Sequence, residues 1–303
     1  MCIRDSSWSG PGRASATRPD SGASVTGPFL ALAASLSWGV GDFLAGLSSR
    51  RLQLLTVLVV SQAAGLTSLA LLVAVRGEGP PEARYLLYAA LAGIAGAVGL
   101  AALYRGLAVG SMSVVAPISA TAAVIPVVAG LVTGERPSAA QGAGIALALA
   151  GVVLASRERS ADGGGRRVAE GVGLALVAAV SFGLLLVALG AASEGDASWA
   201  TLSMRATSFS LLAATALVVR PSLSLGRDHL AVLALIGVLD AAGNALFALA
   251  TTESLLSVVS VLAQLYPVVT VLLARVILGE RISRPQQVGV VAAFAGIALI
   301  TAG

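Results

Sequence analysis

The chain has few charged residues, a single histidine, a single cysteine and no lysine. Of its 303 residues only 11% are charged, whereas 57% are hydrophobic, and the mean hydropathy is +0.91. Soluble domains carry roughly 25% charged residues, because a folded chain of this length needs a polar surface in water. The composition therefore excludes a soluble enzyme, an intrinsically disordered chain and a nucleic-acid-binding protein.

The same scarcity limits the chemistry that the chain could perform. Cys2 and His229 are the only residues of their types, so an intramolecular disulfide and a cysteine-based zinc site are both excluded. The sequence contains no glycine-rich phosphate loop and no nucleophile elbow. We therefore expect a protein that is not an enzyme and that uses no cofactor and no metal.

What the sequence does contain is a series of apolar segments with short polar connections. A helix needs about 20 apolar residues to cross a bilayer, and ten segments approach or exceed that length. They are roughly Gly27–Leu47, Leu54–Val75, Tyr85–Leu107, Met112–Val132, Ala139–Ala155, Gly171–Ala192, Trp199–Val219, Leu230–Ala250, Leu255–Leu278 and Val288–Ala302. The sequence thus predicts an all-α membrane protein with ten transmembrane helices.

The expected domain organisation follows the composition along the chain. Residues 1–26 are rich in serine, glycine, proline and arginine, so we expect a disordered tail or the product of a mistaken start codon. A polar linker over residues 157–169 contains the longest polar stretch of the apolar part. It separates a first half, residues 27–156, from a second half, residues 170–303.

The two halves repeat the same residues in the same order. Gly134-Glu135-Arg136-Pro137-Ser138 is followed 145 positions later by Gly279-Glu280-Arg281-Ile282-Ser283. Likewise, Ser37-Trp38-Gly39 is followed 144 positions later by Ser181-Phe182-Gly183. Since each copy would hold five helices, an odd number, the second copy would enter the membrane from the opposite side. The sequence therefore predicts two inverted five-helix repeats with a substrate site between them.

These features resemble the EamA-domain branch of the drug/metabolite transporter superfamily. The shared features are the duplicated Gly-Glu-Arg-x-Ser motif, Trp38-Gly39 in the first helix, and Ser257-Val258-Val259 followed by Tyr266-Pro267 in the ninth. The resemblance covers about residues 27–302. It implies a multi-pass carrier of a bacterial plasma (inner) membrane that exports or exchanges a small organic metabolite, such as an amino acid, a sugar-like or a drug-like compound, by alternating access.

Ionisable residues inside apolar helices are candidate site residues, because a charge at the bilayer centre costs roughly 2.5–3.5 kcal/mol. Asp42 shares a helix face with Ser35 and Trp38 and could present an acid and an aromatic ring to a cavity. The alternative is an interfacial acid close to Arg50 and Arg51.

Two further charges lie deeper in the apolar segments. Asp240 shares a face with Asn244 and could carry a coupled proton or hold a substrate amine, or it could form a structural ion pair. Arg205 would pair with Asp240 or with a substrate carboxylate, and the alternative is that it snorkels to the interface.

The ninth helix carries a polar stripe. Ser257, Ser260 and Gln264 share one face, followed by Tyr266 and by a kink predicted at Pro267. Such a stripe suits a cavity wall, although small hydroxyls also serve ordinary packing. The predicted substrate-binding residues are Trp38, Asp42, Arg205, Asp240, Asn244, Ser260, Gln264 and Tyr266.

Other repeated residues are predicted to have structural roles. Glu135 and Glu280 follow glycines at helix ends, so we interpret them as loop and cap residues. Small residues spaced four apart, as at Gly144 and Gly289, predict close helix packing. The resemblance links the last helix of each half to assembly. The sequence therefore leaves open whether the protein forms a homodimer.

The membrane orientation is left open by two conflicting indications. Eleven arginines follow the odd-numbered segments, and outside the tail only Arg76, Arg84 and Arg136 follow the even-numbered ones. The positive-inside rule then places both termini outside the cytoplasm, whereas the resemblance implies that both lie inside. The alternatives to transport are a non-transporting membrane assembly and a lipid-modifying protein.

Overall fold

The computed structural model describes residues 26–49, 52–109, 118–155, 165–220, 227–278 and 284–302. Within these ranges the regular elements are all helical. They are α1 (Thr26–Ser49), α2 (Leu54–Arg76), α3 (Ala83–Val109), a 3₁₀ helix (Ala120–Ala123), α4 (Val124–Val132), α5 (Ala139–Ala155), α6 (Gly165–Ser193), α7 (Ala197–Val219), α8 (Arg227–Glu253), α9 (Leu256–Ala263), α10 (Tyr266–Leu278) and α11 (Arg284–Ala302).

Seven of the described helices are long and apolar enough to cross a bilayer, namely α1, α2, α3, α6, α7, α8 and α11. The remaining apolar helical stretches are shorter and span Thr121–Val132, Ala139–Leu154 and Leu256–Thr270. They correspond to the predicted fourth, fifth and ninth segments, and the start of the fourth lies outside the described residues. The all-helical class and the multi-pass membrane character are thus confirmed.

The outer surface of the bundle is apolar. Val75, Val132 and Val218 are at least 80% exposed, and many other large aliphatic side chains face outward. A soluble monomer rarely exposes contiguous apolar surface of this extent, whereas a bilayer favours it. The buried side of the helices is instead rich in alanine and glycine, which lets neighbouring backbones approach closely.

The ninth predicted segment is interrupted rather than merely kinked. Gln264 and Leu265 form a turn between α9 and α10, immediately before Tyr266-Pro267. Pro267 has no backbone N–H to donate to the preceding turn, and the next residue, Val268, donates instead to the Leu265 carbonyl at 2.9 Å. The 3₁₀ helix before α4 is the matching irregularity in the first half.

Equivalent glycines make equivalent contacts in the two halves. A Cβ atom added to Gly39 would lie 2.5 Å from the Val269 Cβ, and one added to Gly183 would lie 2.6 Å from the Ile125 Cβ. Both members of the first pair are 144 positions from the corresponding members of the second. The duplication visible in the sequence is therefore also present in the packing.

The last helices of the two halves, α5 and α11, pack against each other in opposite directions. Gly144 near the start of α5 lies against Gly296 and Ile300, and Gly151 near its end lies against Gly289. The small residues predicted to form packing faces thus serve close helix packing within one chain, as the spacing indicated.

The Gly-Glu-Arg-x-Ser motif of the first half joins three helices. Gly134 ends α4 with a φ of 97°, a conformation that favours glycine. Ser138 and Gln141 then form a capping box at the start of α5, with hydrogen bonds of 2.9 and 3.1 Å. The Glu135 carboxylate accepts the backbone N–H groups of Leu256 and Ser257 at 2.7 and 3.0 Å.

Glu135 is therefore a cap residue, as predicted, but it caps a helix of the other half. The acceptor carboxylate lies at the positive end of the α9 dipole, so it ties the α4–α5 connection to α9. The second copy of the motif, with Glu280, lies outside the described residues. The described part of α6 begins at Gly165, so the end of the predicted linker is helical.

Candidate functional site

A central cavity lies between the two halves, at the middle of the long helices. Its volume is about 170 Å³. The lining residues are Trp38, Asp42, Gln62, Ala92, Gly93, Gly96, Ala97, Leu100, Leu103, Phe182, Leu185, Leu186, Met204, Arg205, Ser208, Leu212, Asp240, Asn244, Gln264 and Tyr266.

Arg205 forms the centre of a polar cluster in this cavity. Its Nη1 lies 2.5 Å from the Asp240 Oδ2 and donates to the Gln62 Oε1 at 2.7 Å. The arginine side chain is only 3% exposed, whereas that of Asp240 is 40% exposed to the cavity. Since Arg205 is buried and paired, the alternative that it snorkels to the membrane interface does not hold.

The pairing leaves part of the Arg205 guanidinium without a partner. Its Nε and Nη2 are buried and make no hydrogen bond to the described residues. A buried guanidinium normally has its donors satisfied. The cluster therefore holds Arg205 through a single nitrogen, with Asp240 as its counter-ion and Gln62 as its second acceptor.

Asp42 differs from Asp240 because its carboxylate has no ionic or hydrogen-bond partner within the described ranges. Its side chain is exposed on the cavity wall. Asp240 and Tyr266 line the same cavity. The interfacial alternative, which rested on Arg50 and Arg51, involves residues outside the described part of the chain.

An aromatic cluster surrounds Trp38 next to Asp42. The Trp38 ring lies 6.1 Å from the Phe247 ring and 6.3 Å from the Tyr266 ring, the latter edge to face. Gly243 makes room for the indole, because a Cβ at this position would lie 2.5 Å from the Trp38 Cδ1. Trp38, one turn before Asp42 on α1, thus forms an aromatic wall beside the acid.

The other predicted polar residues differ in their positions. Asn244 lines the cavity and donates to the Asp240 backbone carbonyl at 2.8 Å, and Gln264 also lines it. Ser260 is not among the lining residues: it is fully buried in α9, and its hydroxyl has no hydrogen-bond partner in the described structure. Its predicted contact with substrate is therefore not reproduced by this geometry.

Besides Ser208, the polar lining residue that the sequence prediction missed is Gln62. It is the one amide in an otherwise apolar stretch of α2, which is a signal of the same kind as the intramembrane charges. Phe182, Met204 and Leu186 were also not predicted, because apolar residues in apolar helices carry no such signal. They form much of the opposite side of the cavity.

The chemistry of the cavity is that of a binding site. Its described lining offers one ion pair, one free carboxylate, three amides and an aromatic cluster. Within the described ranges no group of three or more histidine, cysteine, aspartate or glutamate side chains could hold a metal ion. The site has the polar anchors and the apolar walls expected for a small organic ligand.

A solved structure shares the fold of this chain. A solved structure described as "Crystal structure of protein" superposes with a TM-score of 0.75 at 20% sequence identity, covering 91% of this chain and 96% of that one. This likeness shows the fold alone. No curated protein matches the chain.

A family model identifies the chain through both of its halves. The model of the EamA-like transporter family matches residues 25–157 and again residues 169–302. The two matches cover the described helices apart from residues 165–168 at the start of α6, and they include every residue that lines the cavity. The resemblance inferred from the duplicated motifs is thus confirmed, and the chain belongs to the EamA-like transporter family.

Proposed function

We propose that the chain is a secondary transporter that exports or exchanges a small organic metabolite, such as an amino acid, a sugar-like or a drug-like compound. The observation that supports this proposal is the central cavity, which lies between the repeats and carries polar side chains at mid-helix positions. Secondary transporters commonly bind substrate at such a place. Alternating access would expose this cavity to one side of the membrane and then to the other.

The proposed arrangement in the membrane is ten crossings in two inverted repeats. Its support is the antiparallel packing of corresponding helices, with Gly144 beside Ile300 and Gly151 beside Gly289. A two-fold axis that relates two antiparallel helices is perpendicular to them. If α5 and α11 cross the bilayer, this axis lies in the membrane plane, as in inverted-repeat transporters.

Alternating access requires contacts that can break at one end of the bundle. Where α2 ends and α7 begins, Arg76 lies 2.7 Å from Glu78 and 3.2 Å from Asp196, and it donates to Ser198. Trp199 Nε1 donates to the Glu78 carbonyl at 3.1 Å. We propose that this cluster is a gate, because opening that end would separate α2 from α7.

The alternative of a non-transporting assembly predicts that the intramembrane charges pair with one another. Arg205 and Asp240 do so. Asp42, however, has no partner in the described structure and faces a cavity. An unpaired carboxylate inside an apolar bundle is costly, and a binding role gives a reason for it that an assembly role does not.

The test is flux through a cavity that can be blocked after folding. In a Cys2→Ser background, which removes the sole cysteine, Ala97→Cys places one thiol on the cavity wall. The full-length protein is reconstituted into liposomes. The liposomes are loaded with one compound at a time from a panel of amines, amino acids and organic acids. We expect at least one compound to leave these liposomes faster than it leaves loaded liposomes without protein. Thiol modification should abolish this faster efflux.

The matched control is Gly79→Cys, an exposed position in the α2–α3 connection with open space around it. Modification there should leave the flux unchanged. If the modified Ala97→Cys protein transports as fast as the unmodified one, the cavity is not the pathway. If no compound moves faster than from empty liposomes, the transport proposal fails.

Proton coupling is a further part of the proposal and is tested in the same vesicles. Asp42 and Asp240 are the two carboxylates that line the cavity. Flux is measured with and without a pH gradient in the wild type, Asp42→Asn and Asp240→Asn. If one of these acids couples proton movement to transport, the pH gradient no longer affects flux in the variant that lacks it. If flux depends on the gradient in both variants as it does in the wild type, neither acid is the coupling residue.

The proposed location is the inner membrane of a bacterium, with both termini on one side. A reporter fused after Gly303 decides between the two orientations. Activity of a cytoplasmic reporter would support the family-based orientation, and activity of only an extracytoplasmic reporter would support the arginine count.

A homodimer would need a surface other than the small-residue faces of α5 and α11. These faces pack against each other within one chain, through Gly144, Gly151, Gly289 and Gly296. Light scattering of the detergent-solubilised protein distinguishes a monomer from a dimer directly.

A further inference from the structure

The charges in the cavity do not balance. The charged residues that line it in the described structure are Asp42, Asp240 and Arg205. Arg205 is neutralised by Asp240 at 2.5 Å, so the acid Asp42 is left without a cationic partner among the described residues. Because a lone charge at this depth is costly, a ligand that fills the cavity is favoured if it brings one positive charge.

The surroundings of Asp42 fit an ammonium group. Trp38 lies one turn away on the same face of α1, and Tyr266 lines the same cavity. Their rings meet edge to face at 6.3 Å. A cation beside Asp42 would therefore meet aromatic rings as well as the carboxylate, and aromatic faces attract organic cations.

The cavity offers little to a carboxylate. Among the described lining residues the one cation is Arg205, which is 3% exposed and already bound to Asp240 and Gln62. The two remaining nitrogens of Arg205 are buried, so a ligand cannot reach them without displacing their surroundings. A ligand that carries a carboxylate would in addition be repelled by Asp42.

The remaining walls are apolar and suit a hydrophobic body. Phe182, Leu185 and Leu186 from α6 face the cavity together with Leu100 and Leu103 from α3. An aromatic or aliphatic group attached to the amine would bury apolar surface against them, which is favourable at roughly 25 cal/mol per Å². One end of the ligand is thus polar and cationic, and the other is apolar.

We propose that the cavity binds a monovalent organic amine with an apolar body, whose ammonium group lies between Asp42, Trp38 and Tyr266. This inference rests on the proposed transport function and specifies its substrate class. Asp42 is the residue that contacts the ammonium group, and the Arg205–Asp240–Gln62 cluster keeps the second carboxylate neutralised.

Three compounds with the same phenyl body separate the possibilities. At pH 7 phenethylamine is a cation, phenylalanine adds a carboxylate to it, and 3-phenylpropionate keeps only the carboxylate. Binding to the purified full-length protein in detergent is measured by titration calorimetry. We expect phenethylamine to bind at least about tenfold more tightly than either of the other two, a difference of 1.4 kcal/mol or more.

The variant Asp42→Asn should weaken phenethylamine binding by about 10- to 100-fold, which is the range for loss of a charged hydrogen bond. Asp42→Glu should retain most of the affinity because it keeps the charge. The control Glu82→Gln removes an exposed acid outside the cavity, which pairs only with the neighbouring Arg84, and should have no effect. Thermal unfolding of each variant confirms that it is folded.

The inference is overturned if the wild type does not bind phenethylamine, if it binds 3-phenylpropionate equally well, or if Asp42→Asn binds the amine as tightly as the wild type. Vesicle flux separates this outcome from failure of the transport proposal. Binding of the amine without flux would leave the cavity assignment standing and contradict transport. Flux of an acid that thiol modification of Ala97→Cys blocks would support transport and contradict the amine assignment.

Discussion

Two walls of the central cavity can be compared position by position, because they stand on corresponding helices of the two repeats. The wall of α1 and α8 is polar, and the wall of α6 and α3 is apolar. The corresponding pairs, 144 positions apart, are Trp38 and Phe182, Asp42 and Leu186, Gly96 and Asp240, and Leu100 and Asn244.

The backbones of the two walls are alike even where the side chains differ. Gly243 lies against Trp38 as Gly99 lies against Phe182, so a flat ring meets a glycine on both sides. The comparison teaches that duplication supplied two walls with the same backbone arrangement, and that one wall carries both carboxylates, Asp42 from the first repeat and Asp240 from the second. A cavity with this asymmetry can orient a ligand that has one charged and one apolar end.

The largest expected effect comes from placing the acidic residue of the polar wall at the corresponding position of the apolar wall. Leu186 is 3% exposed, so Leu186→Asp buries an unpaired carboxylate and should lower the free energy of unfolding by roughly 3–5 kcal/mol. The reverse change, Asp42→Leu, removes an exposed and unpaired charge and should not destabilise the fold. Thermal unfolding in detergent measures both, and equal losses would contradict the distinction between the walls.

The next effect concerns the ion pair on the polar wall. Asp240→Asn leaves Arg205 buried without a counter-ion, and we expect a loss of about 2–3 kcal/mol. This is less than the roughly 3–5 kcal/mol for a fully buried pair, because the Asp240 side chain is 40% exposed. The double variant Arg205→Met with Asp240→Leu should recover much of the stability in the same unfolding assay. An Asp240→Asn protein as stable as the wild type would show that the pair is not structural.

Alanine substitutions at equivalent glycines test whether the helices of the two repeats pack equally closely. Gly39→Ala and Gly183→Ala each add a Cβ within 2.6 Å of a side chain on the facing helix, so each should cost about 1–3 kcal/mol. Gly142→Ala, with open space around it, should be neutral or stabilise α5 by up to about 1 kcal/mol. A large difference between Gly39→Ala and Gly183→Ala in thermal unfolding would contradict equally close packing in the two repeats.

The smallest expected effect comes from a corresponding pair of residues that is polar in both halves. Gln62 and Arg205, 143 positions apart, bond to each other at 2.7 Å across the boundary between the halves. Gln62→Leu removes this bond but leaves Arg205 paired with Asp240, so it should cost about 1 kcal/mol. Urea unfolding resolves a change of this size, and a loss as large as that of Asp240→Asn would show that Gln62 is the main partner.

The sequence predicted the members of the site better than their contacts. Seven of the eight predicted residues line the cavity, because ionisable and amide groups in apolar helices are rare and need a polar environment. Ser260 failed as a lining residue, since a small hydroxyl on a helix gives no indication of which face meets a cavity. Gln62 could have been found as an amide within a long apolar helix.

The sequence could not predict which helices contact each other in the folded protein. The repeated motif predicted a cap at Glu135, but the helix that it caps, α9, belongs to the other half and begins 121 positions later. Similarly, the break between α9 and α10 falls at Gln264, although the proline that causes it is Pro267. Composition and periodicity predict elements, whereas the pairing of helices depends on how the two repeats pack together.

The most direct test of the central claim is protection of a thiol on the cavity wall. In the Cys2→Ser background, the rate of modification of Ala97→Cys is measured in detergent with no ligand, with phenethylamine and with 3-phenylpropionate. If an amine occupies the cavity between the two walls, phenethylamine slows the modification and 3-phenylpropionate does not. Equal rates in all three conditions, or protection by the acid alone, would contradict the assignment of this cavity to an organic amine.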